Sequence, residues 1–192
     1  MAVVRVDVER PIERWRPFVQ PILCVPHLIA NGVLSTASAF TTFAMGIAVL
    51  FTGRVPQGLA RFNVMVLRGR VRAYSYLFLL RRSYPPFVSA AVAEDPGDDP
   101  ITTVSIDPPA TAERWAILRS LVVLPHVLVL LPIGALMDLG LPILGIVCAV
   151  GRGWSPAMER FIVRVEQWVL AIVMYVTLVS DERPRWGFAA YD

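Results

Sequence analysis

The sequence contains no lysine. All 18 basic residues are arginine, they face 15 acidic ones, and the net charge is only +3. Zinc-finger spacings and aromatic-basic RNA motifs are missing as well, which excludes the usual nucleic-acid partners and leaves the arginines to be read as membrane-related features. Cysteine is scarce. Cys24 and Cys148 lie in different apolar runs, parallel spans would place them at opposite membrane faces, and both read as small buried hydrophobes with no bridge between them. There is no glycine-rich phosphate loop, nucleophile elbow or metalloprotease helix motif, so the chain is not expected to be an enzyme.

What the chain has in abundance is apolar sequence: 56% of its residues are hydrophobic, only 17% are charged, and the mean hydropathy is +0.59. From Phe18 to Thr52 there is no charged residue in 35 positions, whereas a bilayer core of about 30 Å needs only about 20 helical residues. The run is too long, and starts too late, for a cleavable signal peptide. An integral membrane protein is expected.

Most landmarks recur about 99 residues later. Pro26-His27 answers to Pro125-His126, Arg61-Phe62 to Arg160-Phe161, Tyr76 to Tyr175, and Pro85 and Phe87 to Pro184 and Trp186. Arg14-Trp15 is answered by Arg114-Trp115, and the lead-in Val4-Arg5-Val6-Asp7 by Val104-Ser105-Ile106-Asp107. A duplicated unit accounts for this spacing. The expected organisation is a first membrane repeat over 1–89, an acidic, proline-rich connector over 90–101, and a second, diverged repeat over 102–192.

Each repeat is expected to hold two membrane-inserted helices, giving an all-α integral membrane fold of four inserted helices with interfacial segments and short juxtamembrane strands. Val4–Val8 and Thr102–Ile106 alternate as strands do, and the two are candidates to pair. Pro11–Pro17 and Ala112–Arg119 mix arginine with tryptophan, as interfacial anchors do. Pro21, Pro26 and Asn31-Gly32 predict a kinked entry to the first long run, and Pro125, Pro132 and Pro142 interrupt the second, with a re-entrant hairpin as the alternative for both. Gly53-Arg54 and Gly151-Arg152-Gly153 make turns, and Pro56 and Pro156 begin the following helices. The connector, with Glu94, Asp95, Asp98 and Asp99, reads as solvated, and it lacks a calcium-loop spacing. Counting arginines in a four-span arrangement puts both termini and the connector in the cytoplasm.

The second helix is unusual because Arg68, Arg70 and Arg72 fall where a span should be most apolar. Each would cost about 2.5 to 3.5 kcal/mol at the bilayer centre on insertion scales. Helical spacing puts Gln57, Arg61, Arg68, Arg72, Ser75 and Arg82 on one stripe and Arg70 on the opposite side. In the second repeat Arg160, Arg164 and Gln167 renew the stripe, beside Glu159 and Glu166. Three readings compete: arginines snorkelling to headgroups or paired with Glu166 or Asp138 inside the fold, a docking face for acidic groups of a larger complex, and a site for anionic phospholipid. His27 and His126, the only histidines, are candidate ligands for a haem or metal, against the plainer reading that each caps a proline kink. Asp138 with Glu166 is a candidate intramembrane carboxylate pair, and Asp138 alone reads as a turn residue.

Arg14-Trp15 with Pro26-His27, Leu50-Phe51-Thr52-Gly53-Arg54, Pro56-Gln57-Gly58, Arg61-Phe62, Val66-Leu67-Arg68 and Tyr84-Pro85-Pro86-Phe87 together resemble the family known as domain of unknown function 4389. The first repeat carries the likeness over roughly 70 residues, and the second keeps only Pro125-His126, Arg160-Phe161 and Pro184. The resemblance implies a small bacterial membrane domain, often in tandem copies, with no catalytic residues to carry over. The expected function is therefore that of a non-catalytic, multi-pass protein of the bacterial plasma membrane without a cofactor. It would serve as an accessory or scaffolding subunit beside other membrane subunits, for instance respiratory or transport ones. The alternatives are a stand-alone protein that binds anionic lipid through Arg61, Arg68, Arg72, Arg160 and Arg164, and a haem protein using His27 and His126.

Overall fold

The computed structural model describes residues 3–9, 11–151 and 154–187, with side chains for all but 138–144, 148, 149 and 151. The described chain is mostly helical. In order it forms β1 (Val3–Val6), α1 (Arg16–Thr52), α2 (Gln57–Leu77), β2 (Thr102–Ser105), a 3-10 turn (Arg114–Leu118), α3 (Arg119–Gly151) and α4 (Pro156–Val176).

α1 runs unbroken through Pro21 and Pro26, and α3 through Pro125 and Pro132, so neither folds back as a re-entrant hairpin. A single proline frees one carbonyl and bends a helix without having to end it. Gly53 ends α1: its φ of 70° is left-handed, and its N–H donates to the Val49 carbonyl at 2.7 Å. Ser155 caps α4 by accepting from the Met158 N–H at 3.3 Å, with Pro156 as first helical residue, whereas α2 begins one residue after Pro56.

α2 and α4 end in the same way. Leu79 and Leu178 take left-handed φ values of 58° and 59°, which glycine would adopt at no steric cost. Leu80 N–H reaches back to the Ser75 carbonyl and Leu79 N–H to Tyr76, and Val179 and Leu178 repeat this on Met174 and Tyr175. Both leucines are buried in the core. Burying such a side chain contributes about 1.5 to 3 kcal/mol, which offsets the roughly 1 to 2 kcal/mol of left-handed strain.

The four helices form two layers. α2 lies antiparallel to α1, since Gln20 donates to the carbonyls of Tyr76 and Arg81 while Asn63, at the other end, bonds Ser38, Thr41 and Thr42. α3 is also antiparallel to α1: Ile117 lies against Gly46, and Pro17 against Gly145. α4 returns along α3, and its Leu170 and Val173 share a core with Leu67 and Val71 of α2. Across the α2–α4 layer lies the ribbon of β1 and β2, antiparallel, with Val4 opposite Val104. The expected strand pairing is thus present. Residues 85–113 travel back along α2 and close on the end of α1 through an Arg54–Thr111 bridge.

α1 is turned inside out relative to a soluble helix. Gln20, Cys24, His27, Asn31 and Ser38 form its buried stripe, while Phe18, Ile22, Ile29, Val33, Phe40, Phe43 and Phe51 point outward. Leu121, Leu124, Leu128, Leu131, Leu136 and Val150 do the same on α3.

Among the described residues two helical stretches, Arg16–Thr52 and Arg114–Met137, are long and apolar enough to cross a membrane, where four inserted helices were expected. α2 fails that test because it carries Arg68, Arg70 and Arg72, and α4 because Glu159, Arg160, Arg164 and Glu166 dilute it. The expected sharing of one side by the arginines also differs from the arrangement found. Arg14 lies near Val150, whereas Arg114 follows directly on the contact of Ala112 with Gly53 at the opposite end of α1. Arg10 and Arg152 lie outside the described residues.

Replacing Gly53 by Ala puts a Cβ into a left-handed cap with open space around it, so strain is the only effect. The Gly53→Ala protein should lose about 1 to 2 kcal/mol in thermal unfolding followed in mild detergent.

Candidate functional site

Three guanidiniums lie in the interior beside α2, and a closed set of acids and carbonyls holds them. Arg68 is 1% exposed. Its Nη2 donates to the carbonyls of Val104, Glu94 and Val92 at 2.9, 3.1 and 3.3 Å, its Nη1 to Ala90 at 3.2 Å, and its Nε lies 3.5 Å from Asp95. Arg72 grips Asp98 with both Nη atoms, at 2.5 and 3.1 Å. Arg81, two residues past the left-handed Leu79, makes the same two-pronged bond to Asp99, at 2.6 and 2.9 Å. Asp99 accepts further from the Thr102 hydroxyl and the Ile101 N–H.

Each guanidinium, itself shut off from water, therefore has its charge matched by an acid, which a buried charge requires. Burial lowers the affinity of Arg68 for its proton, with Asp95 opposing the change. Hydrogen bonds from Arg72 hold Asp98 below the usual carboxylate range. Burial pushes Asp99 upward, but bonds from Arg81, Thr102 and Ile101 outweigh it and leave Asp99 lowered.

These contacts reassign two of the expected lipid or partner residues. Arg68 and Arg72 are spent inside the chain and present no surface to a headgroup. The connector is correspondingly not a free linker, because Asp95, Asp98 and Asp99 tie it along α2. Arg61 and Arg160 are exposed and Arg164 is half-buried. Glu166 does find an arginine: its Oε2 lies 3.7 Å from Nη2 of Arg70. The side chain of Asp138 lies outside the described residues.

The two histidines occupy separate aromatic pockets of one design. His27 stacks on Phe87 at 4.0 Å with Nδ1 at 3.0 Å from the Tyr84 hydroxyl, and His126 stacks on Trp186 at 3.8 Å with Nδ1 accepting from Trp168 Nε1 at 3.1 Å. Because α1 and α3 are antiparallel, the imidazoles sit at different heights and do not converge on a common ligand. Among the described residues no group of three or more His, Cys, Asp or Glu is placed to hold a metal. The 99-residue spacing extends to other contacts. Arg119 donates to the carbonyls of Tyr175 and Ser180, as Gln20 does to Tyr76 and Arg81.

A cavity of about 490 Å³ opens between α1, α2, the 3-10 turn and the end of α4. Phe43, Ile117, Val173 and Leu178 make its wall apolar, while Ser38, Thr42 and Asn63 contribute polar groups already bonded to one another. Arg70 lies at its margin, 4.2 Å over the Tyr74 ring, with a buried Nε that has no hydrogen-bond partner. An apolar cavity with one guanidinium suits an anionic amphiphile. Arg70 stands off the expected stripe, opposite Arg68 and Arg72 on the helix. That same geometry turns it toward α4 and the cavity.

Residues 14–89 match the family model described as domain of unknown function DUF4389. The matched stretch takes in α1, α2, the His27–Phe87 stack and Arg68, Arg72 and Arg81, while their aspartate partners lie beyond it. No curated protein and no solved structure matches the chain.

Asp99→Ala leaves Arg81 buried without its acid and should destabilise the fold by about 3 to 5 kcal/mol in denaturant unfolding. Lowered aspartates stabilise the folded state above their unfolded-state pKa of about 3.9 and lose that contribution as pH falls through their folded-state values. Hydrogen exchange should therefore find the amides of 95–105 protected at pH 5 and released by pH values well below 4.

Proposed function

We propose that the chain is a non-catalytic protein of the bacterial plasma membrane that acts as an accessory or scaffolding subunit for other membrane proteins, and that its two halves are copies of one unit. The observation that carries the membrane reading is the outer face of α1 and α3, where rows of phenylalanine, leucine and valine are exposed while α1 buries Gln20, His27, Asn31 and Ser38. A contiguous apolar surface of that kind has to be covered, and lipid covers it along its whole length. The scaffolding reading draws on the opposite layer. The ribbon and the connector form a polar face fixed by Arg68, Arg72 and Arg81, and such a face can hold a partner's soluble segment in a set position.

The cavity beside Arg70 favours a second reading, in which the protein acts alone by holding an anionic lipid. Native purification in mild detergent, with mass spectrometry of co-migrating protein and lipid, decides between them. A partner at fixed stoichiometry is expected. A lone protein retaining phosphatidylglycerol, and losing at least half of it on Arg70→Gln, would replace the scaffolding reading with the lipid-binding one.

A further inference from the structure

The outward apolar rows are longer than a membrane is thick. Phe18 to Phe51 covers about 50 Å of α1 and Leu121 to Val150 about 44 Å of α3, at about 1.5 Å per residue. Fitting 50 Å into a hydrocarbon core of about 30 Å demands a tilt of roughly 53°, outside the usual range of about 0 to 40°. A helix lying in the membrane plane has no such limit on its length.

The polar elements lead to the same orientation. Arg68, near the middle of α2, bonds the Val104 carbonyl, so the ribbon crosses the α2–α4 layer at mid-height. Arg5 and Asp7, 71% and 52% exposed, and the half-exposed Asp98 belong to this face. If α1 and α3 crossed the bilayer, these charges and the irregular connector would stand in hydrocarbon, where exposed irregular backbone is not tolerated. With the helices in the plane, the whole ribbon face meets water and the whole α1–α3 face meets acyl chains. Trp15 and Trp115, both more than half exposed, then fringe the two ends of one slab at headgroup level.

We infer that the chain is monotopic: α1 and α3 lie side by side in one leaflet, and α2, α4, the ribbon and the connector stand on the aqueous side. This rests on the membrane reading above and replaces a multi-pass topology with an in-plane one. The partner it fits is a lipid surface, entered from one side only.

The test uses the full chain in sealed phosphatidylcholine–phosphatidylglycerol vesicles, with Cys24→Ser and Cys148→Ser removing the native thiols and Arg14→Cys plus Arg114→Cys marking the two ends. After treatment with an impermeant maleimide, intact mass reads the labels on each molecule, whatever the mixture of insertion directions. The in-plane arrangement gives molecules with two labels or none. One label on nearly every molecule would mean that the ends lie on opposite sides, overturning this inference while leaving the membrane reading intact. Protein that fails to float with the vesicles would overturn both. A Cys24→Ser, Cys148→Ser, Thr103→Cys protein guards against misfolding, because its mid-height thiol should be labelled to the same extent as the double-labelled fraction, and complete protection of Thr103→Cys would also refute the in-plane arrangement.

Discussion

The structure depends on placing three guanidiniums where water cannot reach them. Arg68, Arg72 and Arg81 can be buried only because Asp95, Asp98 and Asp99 return to meet them, and because a run of backbone carbonyls from Ala90 to Val104 fills the remaining donors of Arg68. Removing Asp95 or Asp99 would strand a buried charge, so electrostatics helps to set the return path of the chain. The connector must run along α2, which carries β2 to the middle of the helix, where β1 can pair with it. An isolated two-stranded ribbon is marginal in water, and this one is sustained by Val104 and the flanking valines packing into the α2–α4 core.

The polar clamp also decides which face is left for lipid. With α2 covered by the connector and α4 packed against α2 and the ribbon, α1 and α3 carry most of the outward apolar side chains among the described residues. The polar groups on their buried faces are met in kind: Gln20 and Arg119 bond the helix-terminal carbonyls of α2 and α4, and His27 and His126 lie in aromatic pockets closed by Phe87 and Trp186. Apolar surface is concentrated on one side of the molecule and charge on the other, as expected of a protein floating in a leaflet.

Much of this was legible in the sequence. Gly53 and Pro156 marked real boundaries, and the alternation at Val4 and Val104 found two strands that do pair. Of the expected stripe, Arg68, Arg72 and Ser75 are buried together on α2, while Arg61 is exposed and Arg82 lies past the end of the helix. What covers the buried part could not be read, because its partners lie some 20 to 30 residues on, behind two prolines, in a segment whose composition is that of a solvated loop. Charge composition alone does not distinguish an acidic linker from an acidic clamp. The expectation of four inserted helices followed from giving each repeat two, whereas α2 and α4 carry too many charges to qualify as spans. Arg70 was missed because, on the helical wheel, it stood apart from the pattern that drew attention.

The central claim is a direction: the helix axes lie along the membrane. Polarised infrared spectroscopy of the protein in oriented phosphatidylcholine–phosphatidylglycerol bilayers reads that direction from the amide I dichroism. All four helices are roughly parallel or antiparallel to one another, so their signals add. Transition moments lying in the membrane plane are the predicted result. Moments aligned with the bilayer normal would mean that α1 and α3 cross the membrane and would contradict the account.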